Sequence, residues 1–137
     1  MTAMTRIGRR KTTMQYKNDT HQIIYRTYMA SSPYKYPNRF LAAVFLLSAE
    51  KELWRRAKAA VEKKRIHFDR IDKSGLGPYA FALLHLARDL YEGTQFISLR
   101  DVADPYLISD KTLVLIIEAI GICREGYRVL DINKQFG

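Results

Sequence analysis

Phe40 to Ala49 reads FLAAVFLLSA, an almost unbroken apolar run of ten residues. Apolar side chains on all sides of a helix indicate that the helix is buried on all sides. The run is too short to cross a membrane, which takes about 20 residues. The sequence therefore predicts an all-α or helix-dominated fold, with this helix at the centre of the core.

Helical periodicity and helix-end signals place the other elements around this central helix. Ser48 is the predicted cap of a long third helix that runs through the charged residues 50–65. Pro78 and Gly93 are expected to begin and end a further helix. Ser98 with Asp101, and then Ser109, are expected to cap the last two. The prediction is one bundle of five to six helices over 18–137, a flexible basic arm over 1–17, and a short strand near 66–71 or 127–132.

Composition limits the class of protein. The chain has 137 residues, 47% of them hydrophobic, which fits one globular domain. Its one cysteine, Cys123, excludes an internal disulfide and a multi-cysteine zinc site within one chain. No apolar segment of signal-peptide type follows the basic start. We expect a cytoplasmic protein with no cofactor, no metal site and no membrane partner.

The net charge of +9 is concentrated at the front of the chain. Residues 1–40 hold eight basic residues against Asp19, which leaves only +2 for residues 41–137. Such asymmetry points to a polyanionic partner. The arm is therefore predicted to contact nucleic acid through its five basic residues, Arg6, Arg9, Arg10, Lys11 and Lys17. A solvated leader without a role is the alternative interpretation.

A second basic set lies on the predicted third helix. Three acidic residues at helical spacing pair with part of it, which makes a solvated helix face an alternative interpretation. The basic residues predicted to touch nucleic acid there are Arg55, Arg56, Lys63, Lys64 and Arg65. Aromatic residues beside arginines are typical of interface anchors, so a protein partner is predicted at Tyr34, Tyr36 and Trp54. Packing of the tyrosines against the body of the protein is the alternative interpretation.

Catalytic signals are sparse. His85 and Asp89 stand four residues apart on one predicted helix, where the carboxylate could orient the ring. A catalytic site needs a third group and a cleft, and the sequence offers neither. An enzyme is therefore not expected, although one built on this pair is kept as an alternative.

Residues 98–125 suggest a helix-turn-helix: a short helix, a turn and a second helix. A recognition helix must present polar side chains to base edges. Here the second helix is crowded with Leu, Val and Ile, and Lys111, Thr112 and Glu118 are the only polar groups expected to be free. A DNA-binding regulator is therefore the first alternative function.

Four short motifs between residues 33 and 130 resemble a family of small helical proteins of Gram-positive bacteria and their mobile elements. They are LLSA at Leu46, an I-x-F-x-x-I connector at Ile66, A-x-D-L-Y-x-G at Ala87 and ISDK at Ile108. The family has no assigned activity, so the resemblance implies a helical fold and an accessory protein of a mobile element. The leading hypothesis is a non-enzymatic accessory protein that docks a protein or nucleoprotein partner, as counter-defence inhibitors do, and whose arm touches nucleic acid.

Overall fold

A computed structural model describes residues 14–30 and 36–126. Within these ranges the chain forms six α-helices and one two-stranded hairpin, which confirms the helix-dominated fold. None of these helices is long and apolar enough to cross a membrane. The predicted strand at 127–132 lies outside the described residues.

The first two helices build the centre of the molecule. Helix α1 (Asp19–Ala30) is capped by Asn18, whose Oδ1 accepts the His21 amide at 2.9 Å. Helix α2 (Asn38–Leu47) is central, as its apolar sequence predicts, with eight of its ten residues buried. Fully burying a large apolar side chain contributes about 1.5–3 kcal/mol, so this helix supplies much of the core's stabilisation.

The third helix differs from its prediction at both ends. Helix α3 (Lys51–Ala57) is capped by Glu50, whose carboxylate accepts the Leu53 amide at 2.8 Å. Ser48 is not the cap, because its hydroxyl donates back to the Phe45 carbonyl at 3.2 Å. After one 3₁₀ turn, Lys58–Ala60, the chain leaves the helix.

A hairpin replaces the predicted end of that helix. Strand β1 (Val61–Glu62) pairs antiparallel with β2 (Arg65–Ile66), with Val61 opposite Ile66. The strand predicted near 66–71 therefore ends at its first residue, and a 3₁₀ turn, Phe68–Arg70, follows. The side chains of Ile66, Phe68 and Ile71 are buried, which ties the hairpin to the core.

The last three helices follow their predicted signals closely. Helix α4 (Pro78–Glu92) begins at Pro78, and Gly93 ends it at φ 78°, a left-handed conformation that suits glycine. Helix α5 (Leu99–Val102) has the predicted capping box between Ser98 and Asp101. Helix α6 (Asp110–Glu125) is capped by the Ser109 hydroxyl, which accepts the Thr112 amide at 3.2 Å.

Helix α2 packs mainly against α4 and α6. Arg39 at its start lies over the Tyr91 ring near the end of α4, with 5.6 Å between guanidinium and ring centroid. Asn38 meets Gly126 at the end of α6, where a Cβ atom would approach its side-chain oxygen to 2.6 Å. The start of α2 thus lies beside the ends of α4 and α6, so α2 runs opposite to both.

Candidate nucleic-acid interface

The hairpin projects a lysine pair away from the core. Lys63 and Lys64 form the turn between β1 and β2, and both are exposed. Lys63 adopts φ 55°, a left-handed conformation that costs a residue with a Cβ roughly 1–2 kcal/mol. The tight turn therefore presents two ammonium groups to solvent, next to Arg65 at the start of β2.

Two adjoining grooves flank the turn. One, of about 570 Å³, lies between the hairpin and the 3₁₀ turn that follows it. The other, of about 710 Å³, extends from the hairpin to the start of α2 and the end of α4. Lys64, Arg65 and His67 line both. We call the basic side chains on these two grooves the hairpin cluster: Arg39, Lys63, Lys64, Arg65, His67 and Arg70.

One acidic residue offsets part of the hairpin cluster. Arg70 Nη1 donates to Glu62 Oε1 at 2.6 Å, and both side chains are more than half exposed. This hydrogen bond and the Arg70 charge lower the pKa of Glu62, so its carboxylate is ionised at neutral pH. Within the described residues, no carboxylate lies within ion-pair distance of Lys63 or Arg65. Their charges are therefore available to an external anion.

Helix α4 supports the base of the hairpin. The Tyr91 hydroxyl accepts the Ile66 amide at 3.4 Å, a long contact, and the Tyr91 ring packs on Phe68 at 5.7 Å. Arg39 covers the same ring from the start of α2. Helix α4 and the start of α2 thus support the base of the cluster, while Lys63 and Lys64 stand on the hairpin turn.

The two predicted arginines of α3 form contacts within the chain. Arg56 donates to the carbonyl oxygens of Asp72 at 2.7 Å and Ser74 at 2.8 Å, which pins the loop before α4. Arg55 and Arg56 both hydrogen-bond Glu52, which lowers the pKa of that carboxyl to about 2. They are thus paired, and the structure does not bring them into the hairpin cluster.

The other predicted site residues lie apart from the hairpin cluster. Lys17 sits over the Tyr79 ring, 4.8 Å from its centroid. Tyr36 stacks on Phe40 at 4.5 Å, and Trp54 is buried edge-on to Tyr28 at 5.6 Å. The predicted residues Arg6, Arg9, Arg10, Lys11 and Tyr34 lie outside the described residues.

His85 and Asp89 do not form a hydrogen-bonded pair. The Asp89 carboxylate accepts the amides of Phe96 at 3.0 Å and Ile97 at 2.8 Å, and also the Thr94 hydroxyl. The His85 ring is buried under Phe96, with 3.7 Å between ring centroids. Within the described residues neither of its nitrogens has a hydrogen-bond partner, and burial lowers its pKa. The carboxylate thus fixes a loop and does not orient the ring.

Helices α5 and α6 present few groups that could read bases. Helix α5 has only four residues, none of them buried. Thr112 and Glu118, expected to be free, are buried, and Glu118 Oε1 accepts the Gln15 amide at 3.2 Å. The exposed side chains of α6 include Val114, Ile117 and Ile120, which cannot hydrogen-bond to base edges.

Three members of the hairpin cluster were not predicted from the sequence. Arg39 and Arg70 join it from positions 26 residues before and five residues after Arg65, and no local spacing links them. His67 was not among the predicted site residues, and its Nε2 lies 3.7 Å from Glu62 Oε1. Finding the cluster from the sequence would have required predicting the hairpin, because the turn at Lys63 brings these side chains together.

Comparison with known proteins gives no relative. The chain matches no protein-family model, no curated protein and no solved structure. The resemblance to helical proteins of Gram-positive mobile elements therefore remains a prediction.

Proposed function

We propose that this protein is an accessory protein that binds nucleic acid through the phosphate backbone, using the hairpin cluster. The observation that supports this most is the convergence of five permanently charged side chains and His67 on two adjoining grooves. Glu62, Asp69 and Glu92 also line these grooves, so cations outnumber carboxylates there. Phosphate contacts of this kind supply affinity without sequence readout.

The basic residues of the arm extend the same chemistry. Residues 5–17 contain five basic residues and no acidic one. In the proposal, the body binds one stretch of backbone through the hairpin cluster and the arm adds further phosphate contacts. The proposal also includes a protein or nucleoprotein partner and a mobile-element origin.

Sequence-specific reading and catalysis receive less support. The exposed side chains in the middle of α6, Val114, Ile117 and Ile120, are aliphatic, and Asp89 hydrogen-bonds loop amides instead of His85. Neither arrangement supplies the polar groups that those functions need. Backbone binding by the hairpin cluster needs only charge and access, and both are present.

The test compares binding of a labelled DNA duplex and of single-stranded DNA and RNA by fluorescence anisotropy at low salt. The triple variant Lys63→Asn, Lys64→Gln, Arg65→Gln removes three charges. Asparagine is chosen at 63 because it tolerates the left-handed turn. A control variant removes three exposed charges elsewhere: Lys51→Gln, Lys58→Gln and Arg100→Gln.

The proposal expects the hairpin variant to bind at least about ten-fold more weakly than the control variant. Equal affinity of the two variants would overturn the role of the hairpin cluster. A chain starting at Met14 measures the contribution of the arm separately, since it lacks Arg6, Arg9, Arg10 and Lys11.

A further inference from the structure

A third groove, of about 710 Å³, lies beside the start of α4 and is lined by no residue of the hairpin cluster. We call it the Tyr79 groove. Tyr79 and the hairpin-contacting Tyr91 are twelve residues apart on α4, a separation of about 18 Å at the helical rise of 1.5 Å per residue. The groove is therefore distinct from the hairpin cluster. Its lining includes Tyr16, Lys17, Tyr79, Lys111, Val114 and Leu115.

The walls of the groove combine rings with aliphatic side chains. Tyr16 packs against His21 at 5.4 Å and Phe45 at 5.7 Å between ring centroids, which holds its ring against the core. Val114 and Leu115 contribute branched side chains from α6. Fixed rings and aliphatic groups of this kind make up most of the surface in sites for small organic molecules, and the volume is in their usual range.

The charged groups of the groove are both cationic. Lys17 and Lys111 line it, and no carboxylate does so among the described residues. Lys17 Nζ rests 4.8 Å from the Tyr79 ring centroid, a contact worth about 0.5–1 kcal/mol at an exposed site. An incoming anion would form a stronger, charge-assisted hydrogen bond with the same ammonium group.

Tyr79 adds a neutral donor. Its burial raises the pKa of the phenol to about 12, and the charge of Glu50 acts in the same direction. The hydroxyl therefore stays protonated at neutral pH and does not repel an anion. The Ser109 hydroxyl, by contrast, already accepts the Thr112 amide as the cap of α6.

We propose that the Tyr79 groove binds an organic anion that joins a planar ring to one phosphate or carboxylate group. The ring would pack against the tyrosine and aliphatic walls. The anionic group would lie between Lys17 and Lys111. Neither half of such a ligand supplies both contacts alone, so the joined molecule binds more tightly than its parts.

The test is a ¹H–¹⁵N NMR titration of the full chain with four probes: adenosine 5′-monophosphate, indole-3-acetate, adenosine and inorganic phosphate. We expect at least one of the two joined molecules to shift the amides of Tyr79 and Lys111 with Kd of about 1 mM or tighter. Adenosine and phosphate alone should bind at least about ten-fold more weakly. If only adenosine 5′-monophosphate binds, the groove is a phosphate site. If only indole-3-acetate binds, it is a carboxylate site.

A matched pair of variants on α6 makes the test specific. Val114→Glu places a carboxylate in the groove, while Ile117→Glu places one a turn further along, at a residue that does not line it. Both positions are exposed, and Lys111→Gln removes a cation without changing the core. Val114→Glu and Lys111→Gln should each weaken binding at least about ten-fold, and Ile117→Glu should leave it unchanged.

Three results would overturn the proposal. They are the absence of binding by both joined molecules, binding of inorganic phosphate as tight as that of the joined molecules, and unchanged binding by Val114→Glu. Failure of the hairpin variants to alter DNA affinity would not bear on this groove, because the two sites share no residue.

Discussion

His21 and His85 are both buried, but their ring nitrogens have different surroundings. The His21 Nδ1 accepts the Lys17 amide at 3.0 Å, so Nε2 holds the proton and donates to the Phe45 carbonyl at 2.8 Å. Burial lowers the pKa of His21 to about 4, against the opposing effect of the Phe45 bond. One histidine thus joins α1 to α2 in its neutral form, while the other lies between phenylalanine rings without hydrogen bonds in the described chain.

The first prediction is acid destabilisation through His21. Between pH 6.5 and 4, the unfolded chain binds a proton on this ring and the folded chain does not, so stability falls as pH falls. A pKa lowered from 6.5 to about 4 corresponds to about 3 kcal/mol over that window. Urea unfolding at stepped pH should show this slope, and His21→Gln should flatten it. The same slope in both proteins would contradict the assignment, since the lowered pKa of His85 adds only a part common to both.

The second prediction concerns His85. Replacing a buried polar group that lacks partners by an apolar group of similar size is neutral or stabilising. His85→Leu should therefore raise the free energy of unfolding by about 1 kcal/mol or leave it unchanged. His67→Leu, at a half-buried histidine beside Glu62, provides the control. A loss of several kcal/mol in His85→Leu would show that the ring has a partner that the described residues do not reveal.

At the scale of elements, the helix ends that depend on nearby residues were predicted correctly, and the helix end that depends on distant contacts was not. The boundaries of α4 and the caps at Ser98 and Ser109 depend on residues within one turn, and the sequence predicted them. The end of α3 depends on distant partners. Residues 61–65 favour a helix by composition, but Ile66 and Phe68 are buried against the core, so the chain turns at Lys63 instead.

The third prediction concerns Asp89, which the alternative enzyme hypothesis paired with His85. Asp89 accepts two amides and one hydroxyl from the loop that follows α4. Asp89→Asn replaces one carboxylate oxygen by an NH₂ group, which faces a loop donor and cannot accept its hydrogen bond. We therefore expect a loss of about 1–3 kcal/mol in the free energy of unfolding. Glu92→Gln is the control, because the Glu92 pair with Arg88 at 2.7 Å is partly exposed and contributes about 0–1 kcal/mol.

Chemical denaturation of both variants, with ¹H–¹⁵N spectra of residues 93–98, decides the matter. Equal, small effects of the two substitutions would contradict the role of Asp89 in holding the loop over His85.

At the scale of the whole molecule, α2 packs antiparallel to α4 and α6, and the two candidate sites lie at opposite ends of α2. The hairpin cluster lies at the end where α2 begins, and the Tyr79 groove lies at the other. The sequence predicted three of the cations in the hairpin cluster, Lys63, Lys64 and Arg65, but placed them on a helix face. It could not predict Arg39 and Arg70, because they join the cluster only through tertiary packing.

The fourth prediction concerns the salt dependence of DNA binding, which follows from the positive charges of the hairpin cluster. Each phosphate contact with duplex DNA adds about 0.9 to the slope of log affinity against log salt. Three charges removed from the hairpin cluster should therefore lower that slope by about 2–3. Charges removed from surfaces that do not touch DNA should leave the slope unchanged.

The most direct test of DNA binding by the hairpin cluster is this salt slope, measured by fluorescence anisotropy on one DNA duplex across a salt series. We expect a slope shallower by about 2–3 for Lys63→Asn, Lys64→Gln, Arg65→Gln, and an unaltered slope for Lys51→Gln, Lys58→Gln, Arg100→Gln. Equal slopes for the two triple variants would contradict it, because only net charge, and not the hairpin, would then govern binding.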